Sequence, residues 1–204
     1  KSKTPKVVVG HDCRFGGELF AETVALVLCS KGVTTLLAKD FVSTPMISLG
    51  AVKTGSDLGV IITASHNPPE YNGFKLKGSY GGPLLPSMVA EIENLIADEP
   101  STNIDGLSLG DFESKSLLEY VDLETMYCDH VQKHFDLNAI RNSGLQLAYD
   151  AMYGAGQNVM RRLLPNLTFL HCDYNPSFMG QAPEPIHKNL TELSDLIKIS
   201  GNID

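Results

Sequence analysis

No run of apolar residues in this chain of 204 approaches the roughly 20 that a membrane-crossing helix needs, although 43% of its residues are hydrophobic. No membrane span is therefore expected. The four cysteines, Cys13, Cys29, Cys128 and Cys172, form no Cys-x-x-Cys pair, which argues against a zinc site and a disulfide framework and predicts buried, reduced thiols. Cations are also scarce: 16 Lys and Arg stand against 24 Asp and Glu, a net charge of -8. Such a surface repels a phosphate backbone on average, so a nucleic-acid partner is not expected. A small anionic ligand is still allowed, because a few cations in one cleft can outweigh a globally acidic protein. No signal-peptide pattern precedes the first apolar strand, so a cytoplasmic location is expected and the Asn-Leu-Thr sequons at Asn166 and Asn189 are not read as glycosylation acceptors. Gly-x-Ser-x-Gly is missing, which disfavours a serine hydrolase. Gly154-Ala155-Gly156 lacks the third glycine of a dinucleotide fingerprint, since Val159 holds that place, and reads as a tight turn.

What is present is alternation of strand and helix signals. Lys6 to Gly10, Thr34 to Ala38 and Leu58 to Thr63 read as apolar strands, with helices over Gly17 to Ser30 and Pro45 to Thr54 between them. Leu19, Phe20, Thr23, Val24, Val27 and Leu28 recur at helical spacing and give the first helix a face that can pack on a sheet. A short strand over Gly73 to Lys77 and a helix from Pro86 to about Ala97 complete the first unit, taken as residues 1–98. The polar, aperiodic run 99–114 is expected to be a linker, and residues 115–204 a second unit. That unit is read as a long helix through Leu117, Val121, Met126 and Phe135, a strand Leu145 to Tyr149, a helix Asn158 to Leu164, a strand Leu167 to His171 and a helix Leu190 to Ile199. The fold class expected is α/β: two consecutive three-layer α/β/α domains with mixed, mostly parallel sheets, the second incomplete.

The chemistry concentrates in Thr63-Ala64-Ser65-His66-Asn67-Pro68-Pro69-Glu70-Tyr71-Asn72-Gly73-Phe74-Lys75. Ser65 follows a buried strand, at the carboxyl end where open α/β sheets collect ligands. A hydroxyl becomes a useful nucleophile when a neighbour takes its proton or a cation offsets the developing charge, and His66 and Lys75 are at hand for both. Pro68-Pro69 stiffens the loop and Asn72-Gly73 offers a turn back toward Lys75, whose strand alternation could aim it at Ser65. Taken one at a time, these residues have plainer readings: Ser65 as a turn cap, His66 as a carbonyl-bonded loop residue, Lys75 and Lys77 as solvated lysines, Asp12 and Arg14 as a local ion pair.

This segment resembles the phosphoserine loop of the phosphoglucomutase/phosphomannomutase (α-D-phosphohexomutase) family. Val7-Val8-Val9-Gly10-His11-Asp12-Cys13-Arg14 is similar to that family's first strand and turn, Ser43-Thr44-Pro45 to the start of its second helix, and Asp150-Ala151-Met152-Tyr153-Gly154-Ala155-Gly156 to the opening of its second domain; Pro183-Glu184-Pro185 and Asn189-Leu190 continue the likeness. His11 departs from the usual arginine, and Gly16-Gly17 from the usual serines. The resemblance implies an isomerase that interconverts hexose 1-phosphate and hexose 6-phosphate, of glucose or mannose, through phosphorylated Ser65 and a bisphosphorylated sugar intermediate. It implies His66 and Lys75 as catalytic partners, and Asn67, Asn72 and Arg14 as substrate- or loop-positioning residues. Mg²⁺ would be held by the phosphate on Ser65 and by the aspartates of an Asp-Gly-Asp-x-Asp-Arg loop, which by the family pattern would lie beyond Asp204, as would the sugar-selecting and phosphate-gripping loops. The chain is thus expected to be an N-terminal fragment covering the first domain and most of the second, with negligible mutase turnover of its own. The competing expectation is an α/β module that binds an anionic metabolite or a protein partner without phosphoserine chemistry.

Overall fold

The computed structural model describes residues 4–99, 102–201 and 203. Strand β1 (Lys6–His11) lies at the centre of a five-stranded sheet, and its valines divide between the two faces because successive side chains point to opposite sides. Val7 and Val9 pack with Ala21, Ala25 and Cys29 of helix α1 (Gly17–Ser30). Val8 packs on the other side with Met46, Ile47 and Ala51 of helix α2 (Thr44–Thr54). Strands β2 (Thr34–Ala38) and β3 (Leu58–Ile62) flank β1 in parallel, and β4 (Phe74–Gly78) returns antiparallel to β3 at the sheet edge. The mostly parallel α/β sheet expected from the alternation is therefore present.

Helix α3 (Pro86–Glu93) opens on a proline, where the missing N–H would have been unpaired in any case. The stretch expected to be a linker then departs from expectation. Within 99–114 the chain forms helix α4 (Leu109–Ser114), capped by the Ser108 hydroxyl accepting from the Asp111 N–H, and it buries Phe112 against the α1 side of the sheet. The long helix expected from Leu117 is also corrected. Leu118–Val121 is strand β5, parallel to β2 as the fifth strand of the first sheet, and helix α5 (Leu123–His134) begins only after it. The break falls at Asp122, whose carboxylate accepts from the Thr125 N–H at 2.8 Å and so starts a new helix. Apolar spacing alone did not reveal that cap.

Helix α6 (Leu137–Arg141) leads to strand β6 (Ala148–Asp150), helix α7 (Gln157–Leu163), strand β7 (Thr168–Leu170) and helix α8 (Thr191–Ser200). Strands β6 and β7 pair in parallel as a two-stranded sheet. Val159 and Leu163 of α7 join the core cluster built on Val8 and α2, so one apolar layer runs from the first sheet into the second unit. All four cysteines are buried and free. Among the described residues no helix is long and apolar enough to cross a membrane.

Candidate active site

Strands β1 and β3 run side by side in register as far as His11 and Ile62, so the loops that follow leave the sheet together. The Asp12 N–H donates to the Ile62 carbonyl at 3.0 Å and Val42 N–H to the His11 carbonyl at 2.7 Å, which ties the start of α2 to the same edge. These loops border a cleft of about 450 Å³ whose walls include Asp12, Ser43, Thr44, Ser65 and His66, closed on the far side by Asp150 and Phe178 of the second unit.

Ser65 stands in that cleft in a left-handed backbone conformation, φ 58°. This conformation costs a non-glycine residue about 1–2 kcal/mol and persists only where surrounding contacts impose it. Here the contacts can be named. The Ser65 N–H donates to the Thr63 hydroxyl at 3.0 Å, and that hydroxyl donates in turn to Asp12 Oδ2. Asp12 Oδ1 accepts from the Arg14 N–H at 3.0 Å. Arg14, only 1% exposed, spends its guanidinium on the loop: Nη2 donates to the carbonyls of Ser65 (2.8 Å) and Asn67 (2.7 Å), and Nη1 to those of Pro68 (2.8 Å) and Tyr71 (2.9 Å). Its Nε lies 3.4 Å from Asp12 Oδ2. A planar fork of donors thus sets the loop's curvature, which a lysine ammonium could not reproduce.

The other expected residues fall at different distances from the hydroxyl. His66 Nδ1 lies 3.5 Å from Ser65 Oγ, near enough to exchange a proton after a small adjustment. Asn67 donates its N–H to the Ala64 carbonyl at 3.1 Å, and Asn72 braces the loop at its other end, its amide donating to the Phe15 carbonyl (3.4 Å) and accepting from the Gly73 N–H (3.0 Å). The expected approach of Lys75 to Ser65 is not what the register produces. Phe74 pairs with Ile62 and Lys75 with Ile61, so the antiparallel strand carries Lys75 back down the sheet, where it lines a separate recess with Leu84 and Ile92. Among the described residues no hydrogen bond joins it to Ser65 or His66.

From sequence, other contributors read only as half of a local ion pair (Asp12) or as a helix start (Ser43-Thr44-Pro45). Thr63 and Asp12 shape the Ser65 backbone, a role that becomes visible only when β1 and β3 lie side by side. Ser43, Thr44 and Pro45 bring the positive end of the eleven-residue helix α2 to the cleft, an arrangement that favours a bound anion. Cys13 is buried beside them, with Gln157 Nε2 of α7 3.6 Å from its sulfur; burial, with the charge of Asp12 adding to it, pushes this thiol up to about 12, so it is not a nucleophile at neutral pH. Asn189 is buried, its amide donating to the carbonyls of Ala182 and Glu184, which leaves that sequon inaccessible to modification in the folded chain.

In the second unit, bordering an adjoining cavity rather than the Ser65 cleft, His171 bridges two carboxylates, Nδ1 to Asp150 Oδ1 at 2.9 Å and Nε2 to Glu192 Oε2 at 3.1 Å. Burial opposes its charge, but the hydrogen bonds and charges of Asp150 and Glu192 prevail and raise it above the ordinary 6.5. A raised folded-state value means the bridge contributes fully below pH 6.5 and is lost as pH rises through that higher value. Urea midpoints are accordingly expected to fall with pH across this window, and to do so less in His171→Gln. Equal slopes in both proteins would remove His171 as the cause.

Comparison with known proteins decides the family. The family model described as phosphoglucomutase/phosphomannomutase, alpha/beta/alpha domain I, matches residues 1–103, and its domain II counterpart matches residues 125–204. The chain belongs to the phosphoglucomutase/phosphomannomutase family. A phosphoglucosamine mutase of Methanocaldococcus jannaschii is 30% identical over 200 residues, which is 96% of this chain and 42% of that protein. A phosphoglucomutase of Staphylococcus haemolyticus is 30% identical over 87% of this chain and 34% of its own length. A crystal structure from Thermus thermophilus, described as a candidate phosphomannomutase, superposes with a TM-score of 0.81 at 32% identity, over 95% of this chain and 43% of that one. The chain thus spans about two fifths of the length of the curated relatives it matches. Its relatives carry three different sugar names, so membership establishes a phosphohexomutase family and leaves the sugar open.

Proposed function

We propose that this chain is the phosphoserine-bearing part of a hexose phosphate mutase, in which Ser65 carries the transferable phosphoryl group. The observation that supports this reading most directly is the pinned left-handed Ser65, held at the cleft wall by Thr63, Asp12 and the four-carbonyl grip of Arg14. Such pinning suits phosphoryl transfer, where little covalent work is asked of the protein and rates follow from positioning and charge neutralisation.

In the step proposed, a P–O bond of a hexose bisphosphate breaks as the Ser65 Oγ–P bond forms. The hydroxyl proton leaves toward the sugar oxygen by way of His66 Nδ1; the reverse step hands the phosphoryl group to the free hydroxyl of the isomeric hexose monophosphate, and the bisphosphate so formed reorients before its other P–O bond breaks and Ser65 is phosphorylated again. The α2 N-terminus favours the phosphate's negative charge throughout. Mg²⁺ remains the ion proposed for the complete protein, with the bisphosphorylated hexose as intermediate and activator. Among the described residues, however, no group of three or more His, Cys, Asp or Glu side chains could hold a metal ion. These residues alone do not fit Mg²⁺, and no step here is routed through it. The proposed ligand is a small phosphosugar; glucose, mannose and glucosamine remain candidates.

Intact-mass measurement after incubation with a hexose 1,6-bisphosphate tests the reading. A single added phosphate is expected on the wild-type chain and none on Ser65→Ala. No phosphate on the wild type, or a phosphate that survives in Ser65→Ala, would favour the binding-module alternative.

A further inference from the structure

We infer that Phe178, in the second unit, is a positioning residue for the Ser65 loop: its ring covers the guanidinium that shapes the loop and thereby couples the loop to the placement of the second unit. Its relevance to catalysis rests on the phosphoserine reading above; the coupling itself does not. Arg14 directs its terminal N–H donors in the guanidinium plane, toward the carbonyls of Ser65, Asn67, Pro68 and Tyr71. A cation whose donors are so engaged can gain further stabilisation from an aromatic face, and the Arg14 Cζ lies over the Phe178 ring, 5.1 Å from its centroid. Phe178 is 3% exposed and borders both the Ser65 cleft and an adjoining cavity of about 350 Å³ that contains His171 and Lys188.

The backbone that presents Phe178 is independently unusual. Phe178, Met179 and Gly180 adopt left-handed conformations in succession, φ 49°, 55° and 76°. Two of the three are bulky residues that disfavour this region, and such a turn survives only when its surroundings over-determine it. They do so here. The Phe178 N–H donates to the Asn175 carbonyl (3.0 Å), the Gly180 N–H to that of Ser177 (2.7 Å) and the Gln181 N–H to that of Phe178 (3.1 Å), while the Gln181 side chain holds the Asn189 carbonyl at 2.9 Å. This framework delivers one large side chain to the Arg14 guanidinium, across the junction between the two units.

Hydrogen exchange read by mass spectrometry on the whole chain tests the coupling. The amides of Ser65, Asn67 and Tyr71 donate to groups within the loop and report its closure. In Phe178→Ala and in Phe178→Leu, which retains most of the buried volume but lacks the ring face, these amides are expected to exchange about two- to thirtyfold faster, with β1 and α2 unchanged; Phe178→Tyr is expected to restore protection. Loop exchange that does not change in Phe178→Leu would overturn the inference, as would acceleration spread evenly over β1 and α2, the mark of a purely structural role. Absence of phosphate on wild-type Ser65 would count against the mutase reading and leave the exchange result standing.

Discussion

Replacing Arg14 with leucine is expected to lower the unfolding free energy by about 3–5 kcal/mol, the range seen when one partner of a buried charge pair is removed. Four carbonyls lose a charged donor at once, and Asp12 loses its ion pair. At about 1.5–3 kcal/mol for each hydrogen bond to a charged group, the simple sum would be larger. The loop lies at the surface, however, and its carbonyls can turn to water once released, which brings the loss down. Arg14→Lys is expected to recover only part of it, because one ammonium cannot satisfy four acceptors arranged around a plane. Urea denaturation measures the stability, and intact mass after exposure to the bisphosphate measures whether Ser65 still takes up phosphate. A stability loss under about 1 kcal/mol would mean that Arg14 does not shape the loop.

A single added methyl group should have a smaller effect of the same sign at the other end of the loop. A Cβ at Gly73 would lie 2.7 Å from the Thr63 carbonyl oxygen, a backbone atom that cannot swing aside. Thr63 is itself committed: its N–H donates to the Gly73 carbonyl at 2.9 Å, and its hydroxyl links Ser65 to Asp12. Relieving the clash therefore moves the strand tip and Ser65 with it. Gly73→Ala is expected to cost about 1–3 kcal/mol and to reduce phosphate uptake on Ser65. Gly110, inside α4, provides the contrast: its φ is not positive and nothing lies within 4 Å of a built Cβ. Alanine there should stabilise by about 0.5–1 kcal/mol through helix propensity and a less flexible unfolded chain. Thermal melts of the two variants shifting in the same direction would contradict this account of the Thr63 contact.

Legibility from sequence varied along the chain for physical reasons. Lys6 to Ile62 was readable because its strands are β-branched apolar runs and its helices carry one apolar face, signals that neighbouring residues generate locally. The region 109–121 was misread for the complementary reason. Leu117, Leu118 and Val121 fit a helical period as well as a strand, and the deciding fact is an open edge beside β2, more than 75 residues earlier in the sequence. The candidate site shows the same division. Ser65 could be placed at a strand tip from its own neighbourhood, whereas Lys75 could not be placed at all until the β3–β4 register was known. Arg14 read by itself as half of a local ion pair and, by resemblance, as a substrate- or loop-positioning residue, but only the folded chain shows the means, a grip on carbonyls 51 to 57 positions away.

By itself the sequence determined an alternating α/β chain, a rigid proline-stiffened loop after the third strand, and a serine at that loop's start. Those are properties of short segments, governed by backbone sterics and apolar periodicity. Tertiary structure alone decided the left-handed Ser65, the Thr63–Asp12 link, the grip of Arg14 and the ring of Phe178 laid over it. Each of these depends on groups distant in the chain becoming neighbours, and a buried cation takes whatever acceptors and aromatic faces the packed core brings to it.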